Sequence, residues 1–150
     1  MRTDEILGTN TSDIDPREII VGIENPNRCI GLHFFSPAHI MKLLEIVHLP
    51  DTSATVLATG FALGKRLRKV AVLSGICDGF IGNRILAAYR RQADYLLMDG
   101  AKPAQIDAAM RSFGMPTGPY ELQDLTRLQI QWAHRTRPAP TPPPTQPHRS

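Results

Sequence analysis

Two residues on neighbouring apolar runs could do chemistry together. His33 lies in the run 29–35 and Glu45 in the run 43–49. The return between them is too short for the crossover of about a dozen residues that a parallel pair needs, so they read as adjacent antiparallel strands. Side by side, the carboxylate would fix the tautomer of the ring and support the imidazolium, leaving the second ring nitrogen to take a proton from a substrate hydroxyl. That is the proton half of an alcohol dehydrogenation. The same pair has a plainer reading, a buried hydrogen bond satisfied for structural reasons alone.

The elements that would hold this pair follow from patterning. Residues 5–10 read as a short strand entering a polar turn. Pro16-Arg17-Glu18-Ile19-Ile20 suggests a short helix for which Ser12 is one candidate cap. Residues 52–67 read as a helix capped by Asp51 or Thr52, with Val56, Phe61, Leu63 and Leu67 at its apolar positions. Residues 70–73 are β-branched enough for one more strand. After Gly79 the period changes to helical. Ile81, Ile85, Leu86, Tyr89, Ala93, Leu96 and Leu97 form a stripe that reads as core, stopped by Gly100. Asn83, at the start of this pattern, is on this reading a first-turn residue facing solvent. Pro103 opens a second helix with Ile106, Ala109, Met110 and Phe113 inward, and Gly114 stops it. Tyr120, Leu122, Leu125 and Leu128 mark a third. The expected fold is therefore an α/β half followed by an all-α half.

Composition excludes several classes. No apolar run approaches the ~20 residues of a membrane helix, and the first residues lack the basic start and apolar core of a signal peptide. The chain is therefore expected to be soluble and intracellular, the cytoplasm first, with peroxisome or mitochondrion as the other compartments. The formal net charge of +3 comes largely from the run Lys65-Arg66-Leu67-Arg68-Lys69 and from C-terminal arginines, which reads as a solvated helix end rather than a nucleic-acid surface. Cys29 and Cys77 lack metal-ligand spacing and read as reduced, mostly buried thiols. The remaining histidines, His39, His48, His134 and His148, form no ligand pattern, so no metal is assigned.

The string Gly31-Leu32-His33-Phe34-Phe35-Ser36-Pro37-Ala38-His39, leading on to Glu45, resembles the signature of the L-3-hydroxyacyl-CoA dehydrogenases of fatty-acid β-oxidation. Its serine and Pro-Ala-His are more like the multifunctional β-oxidation enzymes than the single-activity ones. Thr9-Asn10-Thr11-Ser12, Asp78-Gly79-Phe80-Ile81-Gly82-Asn83-Arg84 and Gly114-Met115-Pro116-Thr117-Gly118-Pro119-Tyr120 agree with the same family, in its order. The resemblance implies that His33 is the general base, that Glu45 orients it and that hydride passes to NAD. It also implies that Ser12 touches cofactor and substrate, that Asn83 hydrogen-bonds the substrate's oxygens, and that Ser36 occupies a position where the family often has a cofactor-contacting Asn. The substrate would be an acyl-CoA.

No GxGxxG turn occurs in this sequence, and such a turn is what brings backbone amides to a dinucleotide pyrophosphate. The chain thus reads as an internal piece of such an enzyme. Residues 1–76 would be a partial Rossmann-like NAD-binding domain, residues 77–136 the start of the helical C-terminal domain, and residues 137–150 a proline-rich disordered tail. The switch to proline and threonine after Trp132 suggests a broken reading frame. A partner chain would supply the missing Rossmann half, and the resemblance also implies a homodimer. The rival from another class is a non-catalytic remnant or structural protein retaining the fold, as the lens λ-crystallins resemble this family.

Overall fold

A computed structural model describes residues 5–12 and 14–125 of the chain. The proline-rich tail, Leu128 and Trp132 lie outside the described residues. The chain divides into two compact units, Met1–Ala88 and Tyr89–Ser150.

The first unit is built on four strands: β1 (Leu7–Thr9), β2 (Cys29–Phe34), β3 (Leu43–Val47) and β4 (Val70–Ser74), in that spatial order. The short return between β2 and β3 makes them antiparallel, as expected from its length, and places His33 directly opposite Glu45. The other neighbours are parallel. A short helix, α1 (Pro16–Ile19), lies in the crossover from β1 to β2, and α2 (Ala54–Arg66) in the crossover from β3 to β4.

Alternation divides the sheet into two faces. On one, Ile30, Leu44 and Ile46 pack with Val56 of α2, joined by Leu32, Phe34, Leu57 and Ala71. On the other, Cys29, Val47 and Leu49 pack with Phe80, joined by Leu7, Ile20, Ile23 and Ile76. By period two, His33 and Glu45 belong to the Phe80 face. Leu44, Glu45, Ile46 and Val47 are all 0% exposed, so β3 is covered on both sides.

Helix α2 differs from its expected register in two ways. Its N-cap is Ser53, whose Oγ accepts the Val56 amide at 3.3 Å. Thr52 is not the cap because its hydroxyl bridges two backbone groups, donating to the Cys29 carbonyl at 2.7 Å and accepting the Leu49 amide at 3.0 Å. The buried face of α2 is Val56, Gly60 and Gly64, while Phe61, Leu63 and Leu67 are exposed. A Cβ at Gly60 would stand 2.8 Å from Ile30 Cδ1, and one at Gly64 2.9 Å from the Ala71 Cβ. Close approach of helix to sheet, rather than apolar bulk, sets which face turns inward. Helix α1 is capped by Asp15 and not by Ser12: the Asp15 carboxylate accepts the Arg17 amide at 2.8 Å. The Arg17 guanidinium beside it lowers the Asp15 carboxyl from its ordinary value.

Helix α3 (Gly82–Met98) starts in the first unit and runs into the second, which also contains α4 (Pro103–Phe113) and α5 (Pro119–Leu125). Gly114 ends α4 in the left-handed region, at φ 109°. The inward residues differ from the apolar pattern here too. Ala93 is the buried residue of α3, whereas Ile85 and Leu96 are exposed. In α4 the buried pair is Ile106 and Asp107, while Ala109 and Phe113 face outward. The reason for Asp107 is polar: its carboxylate accepts the amides of Tyr120 at 2.9 Å and Glu121 at 3.3 Å, satisfying the open first turn of α5. A side chain on Gly118 would run into Asp107. Arg111 pairs with Glu121 across the same two helices. Tyr120 Oη donates to Asp94 at 3.3 Å; burial, and then the Asp94 carboxylate, raises the phenol's pKa.

Candidate active site

His33 is 6% exposed and Glu45 not at all. The imidazole Nδ1 lies 2.7 Å from Glu45 Oε2, within the range expected of a working pair. The ring contacts Phe35, with centroids 4.6 Å apart, and Phe80, at 5.5 Å. Neither phenyl group offers an acceptor able to compete for Nδ1.

A carboxylate removed from water needs its remaining lone pairs satisfied. Glu45 Oε1 accepts the amide of Ile81 at 3.0 Å and that of Gly82 at 2.7 Å. These amides open α3, so the acid occupies the positive end of the helix and satisfies donors that have no partner within it. The turn ahead of the helix aims them. Gly79 and Phe80 are consecutive left-handed residues, with φ of 68° and 47°, and the Phe80 amide donates to the Cys77 carbonyl at 3.1 Å. For phenylalanine this conformation costs on the order of 1 kcal/mol. The ring is nevertheless 2% exposed and packs against both the core and the imidazole.

The other candidates lie on segments tethered next to the pair. Ser12 is half-buried on the loop after β1, two residues beyond Asn10, whose Oδ1 accepts the Phe34 amide at 2.8 Å. Asn83 is half-buried and follows Gly82 in the first turn of α3, rather than pointing freely into solvent. Ser36 is exposed in the loop from β2 to β3. That loop is held from below by Lys69, whose Nζ donates to the Met41 carbonyl at 2.5 Å and also to that of Ala38. The basic run is therefore not merely solvated at its last residue. Of the two thiols, Cys29 is buried, and burial pushes its pKa up; Cys77 is exposed, against the expectation for both. Among the described residues no three His, Cys, Asp or Glu side chains converge as metal ligands, and no helix is long and apolar enough to cross a membrane.

Pattern reading missed Asn10, Lys69 and the amides of Ile81 and Gly82. Gly79 and Gly82 flanking a buried Phe were the available signal for the turn. Nothing local pairs it with a carboxylate 36 and 37 positions earlier in the chain.

The strands and crossover helix form a Rossmann-like arrangement, with a buried His–Glu pair on the sheet and helices following in the chain. Residues 1–77 match the model of the 3-hydroxyacyl-CoA dehydrogenase NAD binding domain, and residues 79–146 that of the 3-hydroxyacyl-CoA dehydrogenase C-terminal domain. The chain belongs to the 3-hydroxyacyl-CoA dehydrogenase family.

It is 46% identical over 134 residues to the peroxisomal bifunctional enzyme of Cavia porcellus, covering 89% of this chain and 18% of the relative. It is 48% identical over 125 residues to the glyoxysomal fatty acid beta-oxidation multifunctional protein of Cucumis sativus, covering 83% of this chain and 17% of that one. Among solved structures, the (S)-3-hydroxybutyryl-CoA dehydrogenase of Ralstonia eutropha superposes with a TM-score of 0.78 at 35% identity, covering 85% of this chain and 46% of that one. The dehydrogenase part of multifunctional enzyme 1 from C. elegans gives 0.66 at 33%, covering 94% and 34%. The chain thus spans about a fifth or less of the curated relatives, 18% and 17% for the two named.

Proposed function

We propose that this chain is the proton-transfer part of an NAD-dependent dehydrogenase that oxidises an L-3-hydroxyacyl-CoA to the 3-ketoacyl-CoA in fatty-acid β-oxidation. The observation that carries the reading is the buried contact of 2.7 Å between His33 Nδ1 and Glu45 Oε2. With Nδ1 engaged by the carboxylate, Nε2 is the nitrogen that takes the 3-hydroxyl proton, and Glu45 stabilises the imidazolium formed. NAD, when bound, accepts the hydride leaving C3. Asn83 hydrogen-bonds the substrate's oxygens and helps polarise the reacting centre. Ser12 contacts substrate and cofactor, and Ser36 the cofactor.

The residues present do not make a whole NAD site. No GxGxxG turn occurs in the sequence, so the hydroxyls of Ser12 and Ser36 are offered to the dinucleotide without a cradle for its phosphates. The cradle belongs to a nucleotide-binding half that adds to the sheet at β1, an end strand paired on one side only among the described residues. A partner chain carrying that half would bring it, and a homodimer is the other assembly this reading allows. Relatives named as peroxisomal or glyoxysomal favour the peroxisome among the compartments considered from sequence.

The test joins this chain behind a nucleotide-binding half that carries a glycine-rich turn. NADH formation from 3-hydroxybutyryl-CoA supports the reading, and a folded, NAD-binding protein without it rejects the reading. The chain by itself should bind NAD weakly or not at all in calorimetric titration. A micromolar dissociation constant would show that residues already present hold the phosphates.

A further inference from the structure

The parallel ladder between β1 and β2 stops before β2 does. It pairs Leu7, Gly8 and Thr9 with Cys29, Ile30 and Gly31, while β2 runs on through Leu32, His33 and Phe34. Beyond Thr9 the chain leaves the ladder at the carboxyl ends of two parallel strands, the place where open α/β sheets bind their ligands. The departing segment carries Ser12, and the strand end it leaves carries His33. Asn10 ties the two together. Its Oδ1 accepts the Phe34 amide at 2.8 Å, well past Gly31, the last residue that β1 itself reaches. Chemistry fixes the orientation: the Phe34 N–H can only donate, so the oxygen of the Asn10 amide must face it. The segment is also braced from within. The Thr11 amide donates to Thr9 Oγ1 at 3.4 Å, and the Ile14 amide to Thr11 Oγ1 at 3.1 Å.

We propose that Asn10 is a positioning residue: its side chain ties the Ser12 segment to the strand of His33 and so sets where the Ser12 hydroxyl stands relative to the base. It acts through Ser12 and touches no reacting atom. The bond to Phe34 is exposed, so water can take its place in the folded chain at little cost in stability. Water cannot hold the two segments at a fixed span. The inference rests on the proposed function for the contact of Ser12 with the cofactor, and deepens it by assigning what places that hydroxyl.

Asn10→Leu removes the acceptor, and Asn10→Asp keeps one. On the whole chain, hydrogen exchange of the Phe34 amide should be faster in N10L than in the wild type and unchanged in N10D, with the amides of α2 alike in all three. Unaltered exchange at Phe34 in N10L overturns the proposal. Calorimetric NAD titration of the joined protein then shows whether Asn10 acts through Ser12. Ser12→Ala should weaken binding by roughly threefold to tenfold, the worth of one hydrogen bond, and N10L by a similar factor. The two losses should not multiply, because a hydroxyl already removed has no position left to lose. A double variant that loses the product of the two factors overturns the proposal, and so does N10D binding as poorly as N10L. Should N10L fail to fold, Asn10→Ala takes its place in both measurements. S12A that binds NAD like the wild type rejects the cofactor contact of the proposed function, and the role of Asn10 falls with it. None of these readouts needs turnover, so an inactive joined protein that shows the coupling rejects the proposed reaction and supports the tie.

Discussion

Two buried acids do the same structural task in the two units, and one of them also touches a titratable ring. Glu45 in the first and Asp107 in the second each satisfy amides at the start of a helix, α3 and α5 respectively. Asp107 commits both oxygens to backbone, Oδ1 to Tyr120 and Oδ2 to Glu121. Glu45 gathers its two amides on one oxygen and keeps the other for His33. Burial and helix capping therefore do not by themselves mark a functional carboxylate. What distinguishes Glu45 is a spare acceptor aimed at a titratable ring that two phenyl groups contact.

The comparison breaks if the two acids respond alike. In the protein joined to a nucleotide-binding half, E45Q is expected to lower kcat by on the order of ten-thousandfold, the scale seen when an orienting carboxylate is neutralised in a comparable triad. Asp107→Asn should leave kcat at the wild-type level, measured at a temperature where both proteins are folded. Equal losses would mean that both acids act only through the fold.

Asp107→Ala sharpens the structural side. It strands the part-buried Tyr120 and Glu121 amides, and a donor left without a partner costs about 1–3 kcal/mol when water cannot reach it. Denaturant unfolding followed by helical circular dichroism should show that loss. A midpoint unchanged from the wild type would mean that water satisfies these amides as well as Asp107 does.

The smallest effect concerns the thiols. Cys77 is exposed, with its Sγ 3.3 Å from the Phe80 carbonyl, while burial raises the pKa of Cys29 and keeps its thiolate scarce. Alkylation of the native chain should label Cys77 alone, with Cys29 following only on unfolding. Peptide mass mapping that finds Cys29 labelled at the same rate would show that the sheet opens readily on that face.

The pair itself was legible in the sequence because strand periodicity and a short return leave little freedom: once β2 and β3 are antiparallel neighbours, His33 and Glu45 share a face or face apart. Helix faces were less legible. Apolar periodicity placed Phe61, Leu63 and Leu67 inward, yet α2 approaches the sheet so closely that its buried face is Val56 and the glycines at 60 and 64. Ser53 caps α2 because Thr52 is drawn away to the Cys29 carbonyl, a partner 23 residues distant. The α3 amides on Glu45 were invisible for the same reason. Long-range polar contacts leave no period in a sequence.

The central claim is that His33 is the base, and His33→Ala in the joined protein tests it most directly. NADH formation from 3-hydroxybutyryl-CoA should disappear while NAD binding, measured by calorimetry, stays at the level of the unmutated protein. Equal rates with and without the imidazole would contradict the account, and the pair would then be the structural hydrogen bond that its burial alone permits.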